Sequence, residues 1–154
     1  MIKLNLPSYE FNAKIQNEKR YVWDFVRKKH VRLTNEEWVR QHFLNLLVNV
    51  NGIPASLIGV EKKIIANNMD KRFDILVFNS TAKPVMIIEC KAPEIKISQD
   101  TFMQASNYNT VLKAPILIVT NGLEHFCAHI NFEQEKIEFL DFIPDYQYVK
   151  KLNI

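Results

Sequence analysis

The sequence predicts an α/β fold, a mixed sheet flanked by helices. Three observations carry this expectation. The spacing of apolar residues switches along the chain between a helical and an alternating period. The segment Val85–Lys91 is apolar on both faces up to its end, the pattern of a central strand. It is followed by a capped helix and a second apolar strand, and strand–helix–strand from Val85 to Val119 is the order of a right-handed parallel crossover.

The elements follow in order. Residues 1–19 are polar and irregular and are expected as a peripheral arm. Tyr21–Val26 is rich in aromatic and β-branched groups and is expected as a strand, with the basic run Arg27-Lys28-Lys29-His30 and Arg32 behind it. Thr34-Asn35-Glu36-Glu37 has capping-box spacing, with the Thr34 hydroxyl on a first-turn amide and Glu37 reaching back to the cap. Val39, Phe43, Leu46, Leu47 and Val50 then form one apolar helical face, closed by Asn51-Gly52. Leu57–Ile65 and Arg72–Phe78 are expected as strands joined through Asn67–Asp70. Pro84 opens the central strand, and Ser98 caps a second helix, Gln99–Leu112. Ile116–Thr120 ends at Asn121-Gly122, and Phe126–Ile130 with Lys136–Leu140 reads as a closing hairpin.

A chain of 154 residues suits one domain, taken here as 1–154. Its composition, 47% hydrophobic and 24% charged, is that of an ordinary globular protein. Cys90 and Cys127 sit in apolar runs and are expected as buried thiols rather than a disulfide or zinc framework. With no signal-like or membrane-spanning apolar stretch, a cytoplasmic protein without membrane contact is expected. A net charge of +3 permits an acidic partner such as nucleic acid without requiring one.

Chemistry enters where charge interrupts apolar strands. Glu89 and Lys91 are two apart at the end of the central strand, so Val85, Ile87, Glu89 and Lys91 should share a face. Asp74 breaks the run Phe73–Phe78 on the neighbouring strand. Charges beside a core are costly unless paired or bound to metal. Two carboxylates on adjacent strands can hold a hard cation, Mg²⁺ or Mn²⁺, with the Cys90 carbonyl as a third oxygen. Lys91 is then placed to orient the attacking water or to stabilise charge on a phosphate. For each of these residues alone a strand-end salt bridge or a turn-proximal polar group is the simpler account. Three such interruptions in an Asp…Glu-x-Lys order favour a site. Arg72, two before Asp74, shares its strand face and could meet a phosphate, and the 27–32 basic run is more simply a solvated surface.

Asp74-x14-Glu89-Cys90-Lys91 followed by Ala92-Pro93 resembles the PD-(D/E)XK nuclease superfamily. More narrowly, TNEEWVRQHF, KRFDILVF, VMIIECKAPE, QASNY and LIVTNG together resemble the N-terminal nuclease region of type I restriction enzyme R subunits, over about residues 20–145. Phe73 stands where the superfamily name expects Pro. The resemblance implies a restriction-endonuclease-like fold with a four-stranded mixed core sheet. It implies Asp74 and Glu89 as metal ligands, Lys91 as the catalytic lysine, and Gln104 and Tyr108 as a Q-x3-Y pair on the following helix. Their i,i+4 spacing puts that pair on one helical face, equally suited to the site or to packing. Glu37 matches an acid often found near the metal on the first helix, although the capping box is an equal claim on it.

The chain contains no G-x4-G-K-[ST], and Gly52, Gly59 and Gly122 cannot form a phosphate-cradling loop, so a P-loop ATP motor is excluded within it. The expected function is a Mg²⁺-dependent DNA endonuclease or exonuclease, partnered by DNA and other restriction-system subunits, with a homodimer as one route to double-strand breaks. The alternative is a non-catalytic DNA-binding or assembly module on the same fold, and RNA or a repair intermediate is a further substrate class.

Overall fold

The computed structural model describes residues 1–152, so the last two positions of the expected domain lie outside the described residues. Among the described residues the chain runs β1 (Ala13–Gln16), β2 (Lys19–Asp24), β3 (Lys29–Arg32), α1 (Asn35–Asn45), β4 (Ile58–Ala66), β5 (Met69–Phe78), β6 (Pro84–Cys90), α2 (Gln99–Leu112), β7 (Ile116–Thr120), β8 (His125–Asn131), β9 (Lys136–Leu140) and α3 (Tyr146–Lys150). Strands β4 to β9 form a six-stranded sheet in sequence order. Only β6 and β7 pair in parallel, through the α2 crossover, and the other neighbours are antiparallel. The mixed, helix-flanked sheet expected from the sequence is therefore present, wider than the four strands the resemblance implied.

One face of the sheet packs on α1: Val39, Phe43 and Leu47 meet Ile75, Val77, Ile88, Cys90 and Ile118. The other packs on α2: Phe102 and Ala105 meet Phe73, Leu76, Ile87 and Val119. Strand β6 is thus covered on both sides, which is why it reads as a continuous apolar run. Val85 departs from the expected alternation and joins the α1-side cluster beside Met86. The β5–β6 register shifts there, from Val77↔Met86 to Phe78↔Pro84, and the extra residue turns Val85 over.

The Thr34 side chain accepts from the Glu37 amide as expected. The reciprocal half of the capping box is replaced, because the Glu37 carboxylate accepts from Arg27, Arg40 and Gln41. Helix α1 closes with a π turn over Leu46–Val50, which brings Val50 out to 60% exposure instead of onto the apolar face. Gly52 takes the left-handed φ of 70° expected of the cap. At the other helix, Ser98 and Thr101 form a complete capping box.

The expected irregular arm is partly ordered by pairing: β1 lies against β2, and β3 completes a separate three-stranded sheet. Near the N-terminus, Leu4 is buried against the core and the Asn5 amide donates to the Gly122 carbonyl. Gly122 has a φ of 82°, and a Cβ there would lie 2.8 Å from Leu4 Cδ2, so glycine is required twice over. Cys90 and Cys127 are buried thiols, as expected. Among the described residues no helix is long and apolar enough to cross a membrane.

Candidate active site

The site forms where β5 and β6 part. Their ladder runs to Ile75↔Ile88, and one step further the same register sets Asp74 opposite Glu89. On its other side Asp74 falls between the pairs Val60↔Ile75 and Lys62↔Phe73, where Glu61 takes a φ of 51° and leaves the ladder. With both ladders interrupted, strict alternation fails: Ile75 and Val77 face α1, whereas Leu76 and also Phe73 face α2. The Asp74 carboxylate bridges the gap, accepting the Cys90 amide on Oδ2 at 2.8 Å and the Arg40 guanidinium on Oδ1 at 2.8 Å.

Glu89 is buried, and its Oε1 finds no hydrogen-bond partner among the described residues. The nearest cation, Lys71 Nζ, stands 3.6 Å away, too far for a hydrogen bond. Burial, followed by the neighbouring Asp74 charge, pushes the Glu89 pKa up to about 7. An unsatisfied buried carboxylate oxygen next to a second carboxylate is a donor set suited to a hard divalent cation. The described residues contain no group of three or more His, Cys, Asp or Glu side chains able to hold a metal, so a cation here would rest on this pair and on backbone or solvent oxygens.

Lys91 keeps the Glu89 face, and both line a cleft of about 90 Å³ with Lys71, Thr101, Gln104 and Tyr108. The i,i+4 pair on α2 therefore reaches the same cleft as Glu89 and Lys91. Tyr108 presents its ring to Lys71, whose Nζ lies 4.6 Å from the ring centroid. Arg72 shares the α1 side of β5 but is exposed, and it lines a separate cleft with Arg27, Lys29, Val60 and Glu61. The cation that stands beside Glu89 is Lys71, one position earlier. Nothing in a two-residue spacing rule counted from Asp74 would have selected it.

Two further residues escaped the sequence reading. Arg40 is 4% exposed and joins Glu37 to Asp74. Burial opposes its charge, but Glu37 and then Asp74 outweigh that and hold its pKa above the ordinary arginine range. Arg27, expected on a solvated surface, is only partly exposed and joins the same chain of charges, reaching Asp24, Glu37 and Glu61. Glu37 is thus enclosed by cations rather than open to a metal. The α1 acid on the site side is Glu36, half exposed, which contacts Arg40 at 3.1 Å. Burial and then the Asp74 charge raise its pKa, while Arg40 and Lys91 oppose that rise. The Glu36–Arg40 spacing of four is visible in the sequence as a helical ion pair, but the approach of Asp74 to that pair is not.

A solved fragment assigned as the HsdR subunit of a type I restriction enzyme from Vibrio vulnificus YJ016 has a similar fold. The match has a TM-score of 0.54 at 18% identity and covers 77% of this chain and 25% of that one. The chain thus spans a quarter of the length of that fragment. No curated protein matches the chain. The family model described as the type I restriction enzyme R protein N terminus matches residues 35–144, a span that holds α1, the sheet, Asp74, Glu89 and Lys91. The chain belongs to the family of type I restriction enzyme R protein N-termini.

Proposed function

We propose that this chain is a divalent-cation-dependent nuclease domain of PD-(D/E)XK type that hydrolyses DNA phosphodiester bonds. The observation that carries the reading is the buried Glu89 oxygen that accepts no hydrogen bond among the described residues, beside Asp74, with Lys91 on the same strand face. Mg²⁺ or Mn²⁺ held by Asp74, Glu89 and the Cys90 carbonyl would supply Lewis acidity and activate a water. Lys91 orients that water or stabilises charge on the scissile phosphate. Gln104 and Tyr108 position the backbone of the substrate from α2. Glu36 takes the place that Glu37 was expected to hold. Arg40 keeps Asp74 aimed at the Glu89 side. DNA, other restriction-system subunits and a second copy of the chain are the partners of this reading.

The test is a supercoiled-plasmid nicking assay with the purified chain in Mg²⁺, Mn²⁺ and EDTA, run beside Lys91→Ala. Metal-dependent nicking that is lost in the variant supports the proposal. Equal cleavage by both proteins overturns it. A non-catalytic DNA-binding or assembly module is the second reading. It is favoured by the Arg40 guanidinium, which already satisfies Asp74 Oδ1 and competes with a metal for it.

A further inference from the structure

Beyond the body of the sheet, β4 and β5 continue as a two-stranded ribbon whose base packs toward α2 through Phe73 and Ile64. Five pairs, from Lys62↔Phe73 to Ala66↔Met69, lie past the point where β6 leaves β5. No residue from Glu61 through Arg72 is buried, and Ile65 near the tip is 73% exposed. Asn67 and Asn68 close the ribbon with φ of 51° and 62°, the two positive values of a type I′ turn. Such a turn is tight and its twist matches the strands, so the ribbon is a defined projection rather than a slack loop.

Its charge is concentrated and two-sided. Residues 62–73 hold four cations, Lys62, Lys63, Lys71 and Arg72, against one carboxylate, Asp70, a surplus of three that equals the net charge of the whole chain. Cross-strand partners share a face. Lys62 and Lys71 therefore lie on the face of Phe73 and Ile64, toward α2, while Lys63 pairs with Arg72 on the opposite face. The Lys63–Asp70 ion pair, 2.9 Å between two half-exposed groups, is of the weak surface kind and gives way to a phosphate.

We infer that this ribbon is a duplex-DNA arm that enters the major groove tip first, its two basic faces meeting the phosphates of the two strands and Asn67-Asn68 meeting base edges. The dimensions agree. Five pairs advance roughly 17 Å, and a two-stranded ribbon fits a major groove about 12 Å wide and about 8.5 Å deep but not a minor groove about 6 Å wide. Asparagine amides match the donor–acceptor edge of adenine there. Lys71 joins the arm to the chemistry, since it also stands at the Glu89 cleft, so a duplex gripped by the ribbon passes the site. The inference rests on DNA being the polymer bound, and not on its being cut.

The test is fluorescence anisotropy in EDTA with a labelled duplex, across a salt series, for the wild type and for Lys63→Ala/Arg72→Ala. A parallel Asn67→Gly/Asn68→Gly variant preserves the turn. The same duplex carrying glucosylated hydroxymethylcytosine fills the major groove without changing phosphate charge. The arm predicts that the charge variant binds roughly tenfold more weakly, with a log–log salt slope smaller by about 1.8. It also predicts that glucosylation weakens the wild type, and that the turn variant loses preference among duplex sequences. Salt slopes that do not change, indifference to glucosylation, tighter binding of single strands, or failure of the wild type to bind duplex each overturn it. Ribbon-dependent binding without nicking in Mg²⁺ retains the arm and removes the nuclease reading. Nicking with ribbon-independent binding does the reverse.

Discussion

Arg40 and Asp74, 34 residues apart in sequence, meet at 2.8 Å and tie α1 to the place where β5 and β6 separate. The same guanidinium also hydrogen-bonds Glu37 and Glu36, so one buried cation holds three carboxylates. Removing it takes the guanidinium away from Asp74 Oδ1 and Glu37 Oε2. Arg40→Met should lose about 3–5 kcal/mol of folding free energy, the usual result of breaking a buried pair from one side. Urea denaturation measures it, and a loss under about 1 kcal/mol, the worth of a surface pair, would show that the chain of charges contributes little.

Under the proposed metal-dependent function, Asp74 should also govern the response to metal. If the folded chain binds Mg²⁺ with a dissociation constant of about 1 mM, linkage at about 10 mM metal gives roughly 1.4 kcal/mol of stabilisation. That corresponds to a rise of roughly 3–6 °C in Tm. Asp74→Asn should lose most of the rise, a neutral amide being a poorer ligand for a hard cation. Identical responses of wild type and variant, with Na⁺ matched for ionic strength, would dispose of the metal site.

Glu89 sets a pH dependence with a definite sign. Its folded pKa of about 7 lies above the ordinary 4.5, so the native state binds the proton more tightly than the unfolded chain. In metal-free buffer its favourable contribution is complete below about pH 4.5 and is lost as the pH rises to about 7. Glu89→Gln removes that slope. Denaturation midpoints in EDTA at the two ends of this window should differ more in the wild type than in the variant, and parallel curves would contradict the assignment.

Lys91→Ala should lower the cleavage rate by about 10²–10³, the typical loss when one preorganised electrostatic donor is removed, while duplex binding persists. Single-turnover cleavage and anisotropy on the same protein separate the two effects. A variant that cuts normally removes Lys91 from the chemistry.

Gln104→Ala and Tyr108→Ala should each weaken cleavage less than Lys91→Ala, because both line the cleft from α2 without joining the carboxylate pair. Full activity in both variants points to packing as their role. Complete loss in either, with an unchanged melt, means that the residue does more than position the substrate.

The sequence by itself determined the sheet order around β6, the N-caps of α1 and α2, the Gly52 cap and the placing of Glu89 and Lys91 on one face. Each of these follows from short-range physics: a period of two, an apolar run covered on both sides, a hydroxyl one turn from an amide. Only the tertiary structure decided the rest. The interrupted rungs at Asp74 turned Phe73 and Leu76 to the same side, so Lys71 and not Arg72 came to stand beside Glu89. The ion pairs of Arg27 and Arg40 took Glu37 away from the site and left Glu36 facing it. A ladder interruption costs little locally and is settled by how neighbouring strands splay. A buried ion pair is settled by which charges the packed elements bring within about 3 Å, and neither is written in the spacing of residues along one strand or helix.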